Sequence, residues 1–410
     1  MTNPKSHSGN LDYSNTDTTT LPDNLTVNGS LYLRNTAIVH LSIATVHGDL
    51  DLRGTPLRTL AGDMDIRGNL NLSGTFIIKL PQNLKVLGNL NLSGTSITSL
   101  PDNLTVGGDL NLNGTQLKTL PDDLVINGSL DISNTPIESL PNNLTVGGSL
   151  DANNTPISEL PDNLTVNGSL WLTGTPIESL PDNLTVNGSL WLTGTPIESL
   201  PDNLTVNGSL WLNNSSVGAL GNLTVNGDLH LSNTPITSLP NLLDVSGNLN
   251  LSGTSITSLP DNLTVGGDLN LNGTQLKTLP DDLTVNGNLN ISNTFITELP
   301  ISMNVRWAIY VRNTPIKVID VCDFGGDLDL SNTSITTLPD NLTVGGSLDL
   351  RGTRITTLPD NLTVGGSLDL RGTRITTLPD NLTVGGSLDL RGTRITTLPD
   401  NLPNTLVINR

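Results

Sequence analysis

The stretch "LPDNLTVGGSLDLRGTRITT" runs from Leu338 to Thr357 and returns unchanged from Leu358 and again from Leu378. Inside it, Leu-Thr-Val and Leu-Asp-Leu alternate with a period of two. Each therefore reads as a short strand with its aliphatic side chains inward and its polar one outward. Pro-Asp-Asn between them is turn chemistry: proline sets φ at the first turn position, and the Asp and Asn side chains bond nearby backbone. Helical periodicity is absent. Aligned on the Gly-Thr or Asn-Thr of each unit, the chain forms twenty rungs from Thr16 to Thr393, spaced by 20 residues except for steps of 19 ending at Thr55, Thr234 and Thr333. A period this regular is the signature of a solenoid. At about 4.8 Å per coil along the stacking direction, the rungs predict a rod about 95 Å long.

Bulk composition narrows the function. Hydrophobic residues make up 35 % of the 410 residues but aromatics only 2 %, so the expected core is aliphatic. A net charge of −19 argues against nucleic acid and anionic membrane surfaces as partners, because both need a clustered positive face. The one cysteine, Cys322, excludes an intramolecular disulfide framework, and its place in a coil predicts a buried thiol. No apolar run approaches the roughly 20 residues of a membrane span. The opening "MTNPKSHSGN" has no secretory h-region, so cytoplasmic synthesis is expected, with non-classical export or incorporation into a virion left open. The expected organisation is a disordered polar leader over 1–10, one repeat solenoid over 11–402 and a tail over 403–410. Both ends read as weakly capped, which predicts end-to-end self-association.

Leu-x-Leu-x-x-Thr-x-Ile-x-x-Leu-Pro resembles the bacterial leucine-rich repeat of the LPX class found in type III secreted effectors, with Thr in place of the ladder Asn. The resemblance covers roughly Leu11 to Leu402. It implies an all-β-rich, right-handed stack of about twenty 20-residue coils with parallel sheets; the extra Leu-Thr-Val strand keeps a generic parallel β-solenoid as the alternative. It also implies that the rung threonines, among them Thr175, Thr195, Thr353 and Thr373, satisfy backbone groups at the bend as the family's Asn does. A glycine precedes nearly every Ser-Leu-Asp-Leu segment, failing at Trp307. That recurrence predicts either a backbone angle closed to other residues or a close approach between coils.

Chemistry has little to stand on. The four histidines lack metal-ligand spacing, the glycine-rich calcium repeat is missing, and no region offers the separate helical domain that carries the catalytic cysteine of a related effector class. No enzyme activity, metal or cofactor is expected. The informative feature is the outward position of the Leu-x-Leu strand. Followed along the chain it holds mostly Asp and Asn, but Trp171, Trp191, Trp211 and His230 occupy consecutive coils and Tyr310 stands alone further on. Contiguous exposed aromatics are typical of binding hot spots, and these five residues are the candidate binding positions. Exact duplication of the "LPDNLTVNGSLWLTGTPIES" coil offers a competing account in which one tolerated Trp was copied. Asp329, Asp349, Asp369 and Asp389 stack in the same position, with Arg351, Arg371 and Arg391 two residues beyond the last three, and Arg354, Arg374 and Arg394 five residues beyond, predicted to neutralise the stack. The leading functional expectation is a non-enzymatic scaffold for protein recognition, effector-like in character. The alternative is a phage or cell-surface fibre segment that stacks its aromatic stripe on glycans, and a minor alternative is ice binding through the outward Thr row of the Leu-Thr-Val strands.

Overall fold

A computed structural model describes residues 6–60, 64–182, 184–241, 243–400, 402 and 406–410. Every regular element among them is a strand of two to four residues, and no helix occurs. Strands recur once per coil in two positions. One is Leu-Thr-Val, as at Thr145–Val146, and the other is Leu-x, as at Leu150–Asp151. Each pairs in parallel with its counterpart in the next coil, so that Val146 faces Val166 and Leu150 faces Leu170. The protein is thus a parallel β-solenoid of about twenty coils. It divides into two compact units, Met1–Gly208 and Ser209–Arg410. In the second unit the Leu-Thr-Val sheet comes in two pieces. One ends at Asn304–Val305 and the other starts at Asp323–Phe324.

Most coils bury the same six aliphatic positions. In one coil these are Leu164, Val166, Leu170, Leu172, Ile177 and Leu180, none more than 8 % exposed. The aliphatic core follows from the period-two alternation, because both strands turn one face to the coil interior. The rung threonines from Thr36 to Thr373 are buried with them. The hydroxyls of Thr175, Thr195, Thr353 and Thr373 donate to the carbonyls of Leu172, Leu192, Leu350 and Leu370 at 2.7 Å, within the same coil. A carbonyl at the bend is thereby satisfied by a side chain of its own coil.

The two glycine positions do different jobs. The residue before each rung Thr has a positive φ, for example 66° at Gly94 and 57° at Asn134, which is why only Gly or Asn stands there. The glycine column read from the sequence is instead a site of close approach. A Cβ on Gly148 would lie 2.8 Å from the nitrogen of Ser129, and one on Gly48 would lie 2.7 Å from the nitrogen of Ser30.

The residue after that glycine forms a ladder that joins coil to coil. Ser129 Oγ accepts from the Ser149 N–H at 3.1 Å, Ser149 Oγ from Ser169 at 2.9 Å and Ser169 Oγ from Ser189 at 3.0 Å. Where the residue is Asn or Asp, Oδ1 takes the same role, as Asn69 does for Asn89 at 2.8 Å. In the second unit Asn288 Oδ1 accepts from Ala308 N at 3.0 Å; Ala308 carries no acceptor, and the ladder resumes at Asp327, whose Oδ1 accepts from Ser347 N at 2.6 Å.

Two expectations are corrected. Cys322 is exposed rather than buried; two residues on, the larger Phe324, 4 % exposed, fills the inward space that Val takes in neighbouring coils. Within the leader, Ser6–His7 is a strand paired with Thr26–Val27 instead of disordered chain; residues 1–5 lie outside the described residues. In the tail, Val407–Asn409 pairs with Ser387–Asp389, which repeats the backbone pattern without the repeat sequence. Among the described residues no helix is long and apolar enough to cross a membrane.

The two kinds of glycine separate experimentally. Gly148→Ala is expected to destabilise by about 1–3 kcal/mol, because backbone must move. Gly94→Asn, at a position with open space and a φ that asparagine adopts in other coils, is expected to change stability by less than about 0.5 kcal/mol. Urea midpoints of the two variants measure the difference.

Candidate functional site

The outward column of the Leu-x strands has a structural task in most coils. The side-chain oxygen of Asn71 accepts the N–H of Ser73 at 3.0 Å, Asp131 that of Ser133 at 3.0 Å and Asn250 that of Ser252 at 3.1 Å. These are local side-chain turns that cap the backbone as it leaves the strand. Asp349, Asp369 and Asp389 cap the N–H of Arg351, Arg371 and Arg391 in the same way. Each also pairs with that arginine's guanidinium, while Arg351 Nε reaches Asp369 at 3.3 Å and Arg371 Nε reaches Asp389 at 3.5 Å. The stacked carboxylates are therefore interleaved with cations, and Arg351, Arg371 and Arg391 are held more firmly protonated, foremost by their hydrogen bonds to the Asp two residues back.

Tryptophan, tyrosine and histidine at this position supply no oxygen acceptor next to the backbone, so the fold gains no turn cap from them. In the first unit Trp171 pairs in register with Asp151 on one side and Trp191 on the other. The two indoles stack with centroids 5.0 Å apart and planes 20° apart. Such a pair contributes about 0.5–1.5 kcal/mol beyond its area burial. Trp171 also borders a cleft of about 340 Å³ shared with Asp131 and Asp151. Burial of Asp151 raises its pKa, opposed by the N–H of Asn153, with Asp131 adding to the rise.

In the second unit Trp211 and His230 face each other in register, with ring centroids 3.7 Å apart and planes 15° apart. Burial lowers the pKa of His230, opposed by Asp228. The carboxylate lies 3.9 Å from Nε2, beyond hydrogen-bond reach, and Nε2 is buried without a hydrogen-bond partner. Desolvation decides, and the imidazole is neutral at pH 7. Tyr310 stands apart, in register with Asn290 and Asp329. All five candidate residues are half-buried rather than fully exposed; stacking along the column accounts for this in the two ring pairs. Trp307, read from the sequence only as a break in the glycine column, is 54 % exposed. The ladder after the glycine escaped the sequence reading, although its restriction to Ser, Asn and Asp is visible there.

No protein-family model matches the sequence, and no curated protein matches it. The solved structure of YopM from Yersinia enterocolitica is similar over 98 % of this chain and 90 % of that one, at 20 % identity and a TM-score of 0.55. The fold is that of a leucine-rich repeat solenoid. YopM from Yersinia pestis, a leucine-rich effector protein, aligns over 83 % of this chain and 88 % of that one at 18 % identity and a TM-score of 0.44. A leucine-rich repeat protein of Leptospira interrogans aligns over 88 % and 90 % at 17 % identity and 0.35. At these identities the likeness is one of fold.

Two titrations follow from the buried groups. His230 has a folded pKa below its unfolded value, so the stability it permits is fully present above about pH 6.5 and falls as the pH drops through that value towards the lower folded one. His230→Asn, the residue of the next coil, is expected to flatten the dependence of the melting temperature on pH between about 7 and 5. Asp151 has the opposite displacement: its ionisation costs stability at neutral pH and nothing once the pH is below its unfolded pKa. Asp151→Asn, which keeps an acceptor for Asn153, is expected to raise the melting temperature at pH 7 and to lose that gain near pH 3.

Proposed function

We propose that this chain is a non-enzymatic repeat scaffold that recognises another protein, with Trp171 and Trp191 in the first unit and Trp211, His230 and Tyr310 in the second as its anchors. The observation that carries this reading is the displacement of a structural residue. Asp or Asn at the outward position caps a backbone N–H, and Trp, His or Tyr abandons that bond to present a flat, partly buried ring. Stacked rings held by strands lose little side-chain entropy on binding, and Trp and Tyr are enriched among residues that dominate interfaces. Carboxylates at the margin of the first pair, Asp131 and Asp151, favour a partner with a basic rim. The likeness of the repeat to the LPX class supports an effector-like interactor as the finer reading.

The test is the combined Trp171→Ala, Trp191→Ala, Trp211→Ala variant, first shown by circular dichroism to keep its β structure. A soluble protein from candidate host lysates is expected to form a complex of fixed stoichiometry with the intact chain and to lose at least about 2 kcal/mol of binding, roughly thirtyfold, with the variant. Equal retention of the partner by both chains would assign the stripe to coil duplication alone.

A further inference from the structure

Within the second unit the two regular devices of the fold fail together. Trp307 occupies the glycine column, and Ala308 occupies the ladder position where other coils carry Ser, Asn or Asp. The Leu-Thr-Val sheet is interrupted over the same coil. The bond of Trp307 N to Gly287 O is 3.3 Å, at the long end of a column in which Gly366 N lies 2.7 Å from Gly346 O and Gly128 N lies 3.2 Å from Gly108 O. Beyond it, the N–H groups of Gly326 and Asp327 have no protein acceptor among the described residues. The 19-residue step does not explain this. At the step from Ser30 to Asp49, Gly48 N still reaches Gly29 O at 3.0 Å and Asp49 N reaches Ser30 Oγ at 3.0 Å.

At the break lies a cleft of about 480 Å³, lined among others by Asp268, Asn288, Trp307, Tyr310, Gly326 and Asp327. One oxygen of Asp268 accepts from Asn288, and one oxygen of Asp327 accepts from Ser347 N; the other oxygen of each carboxylate is uncommitted among the described residues. Arg306 lies over the Trp307 ring at 5.6 Å from its centroid.

A ligand here meets acceptors and donors side by side, together with an aromatic surface. An anion is repelled by Asp268 and Asp327, and a cation leaves the backbone N–H groups unmatched. A hydroxyl answers both, because it donates to a carboxylate and accepts from an N–H. A molecule that carries several hydroxyls and an apolar C–H face to lay on an indole is a sugar. We propose that the Trp307 cleft binds a neutral saccharide. It is a site other than the Trp171, Trp191 and Trp211 rings, and of the anchors proposed for protein recognition it shares Tyr310 alone.

The test observes the tryptophan indole N–H signals of the ¹⁵N-labelled full chain, with the Trp307 signal assigned by its loss in Trp307→Gly. The probes are lactose, cellotriose, maltotriose and triacetylchitotriose as neutral sugars, sialyllactose as an anionic one and trilysine as a cation. A saturable shift of the Trp307 signal by at least one neutral probe, insensitive to high salt, is the expected result. Ala308→Ser keeps every ring and returns an acceptor to the Asp327 N–H, as Ser30 provides for Asp49. It is expected to weaken that binding about tenfold, the size of one such hydrogen bond. The triple variant Trp171→Ala, Trp191→Ala, Trp211→Ala is expected to leave the binding unchanged, so this site and the protein-binding stripe stand or fall separately. Silence of the Trp307 signal towards all neutral probes, preference for sialyllactose or trilysine, or undiminished binding by Ala308→Ser would each overturn the proposal.

Discussion

Successive coils approach one another at one corner so closely that a single β-carbon would meet backbone below 3 Å. The rest of the architecture depends on that contact. Glycine makes it sterically available, and the Ser, Asn or Asp that follows gives the next coil's N–H an acceptor. A parallel stack has no hairpin to satisfy its corners, and unmatched buried backbone groups are costly. Side chains therefore complete what the two-residue strands leave undone.

The same logic applies at the other bends. A rung Thr donates to a carbonyl of its own coil, an outward Asp or Asn caps the N–H two residues on, and a left-handed Gly or Asn turns the chain between them. Each device is local and repeats every coil, so coils can be multiplied without redesign. That accounts for the verbatim repeats from Leu338 onward, and for a high negative charge that is tolerated because part of it is neutralised by arginines in the stack. Two kinds of position depart from the repeat, and both proposals rest on them: the ring pairs that give up a turn cap, and the coil at Trp307 that gives up both the glycine and the ladder.

Much of this was legible in the sequence. Period-two alternation and the twenty-residue step determine a parallel, helix-free solenoid with an aliphatic core, because side chains on a strand alternate faces whatever the surroundings. The outward column and its aromatics followed by counting. The tertiary structure decided matters that rest on distances between coils. It separated the glycine of close approach from the residue of positive φ, two roles that composition alone merges. It exposed Cys322 and buried Phe324 two residues on, and it stacked Trp171 on Trp191 and Trp211 on His230, half-burying rings that counting places on an open face. It also joined Trp307, Ala308 and Asp327 into one cleft. Strand registry is written in the repeat, but which N–H is left without an acceptor depends on how the backbone groups of one coil are aimed at the next, and only the assembled stack sets that alignment.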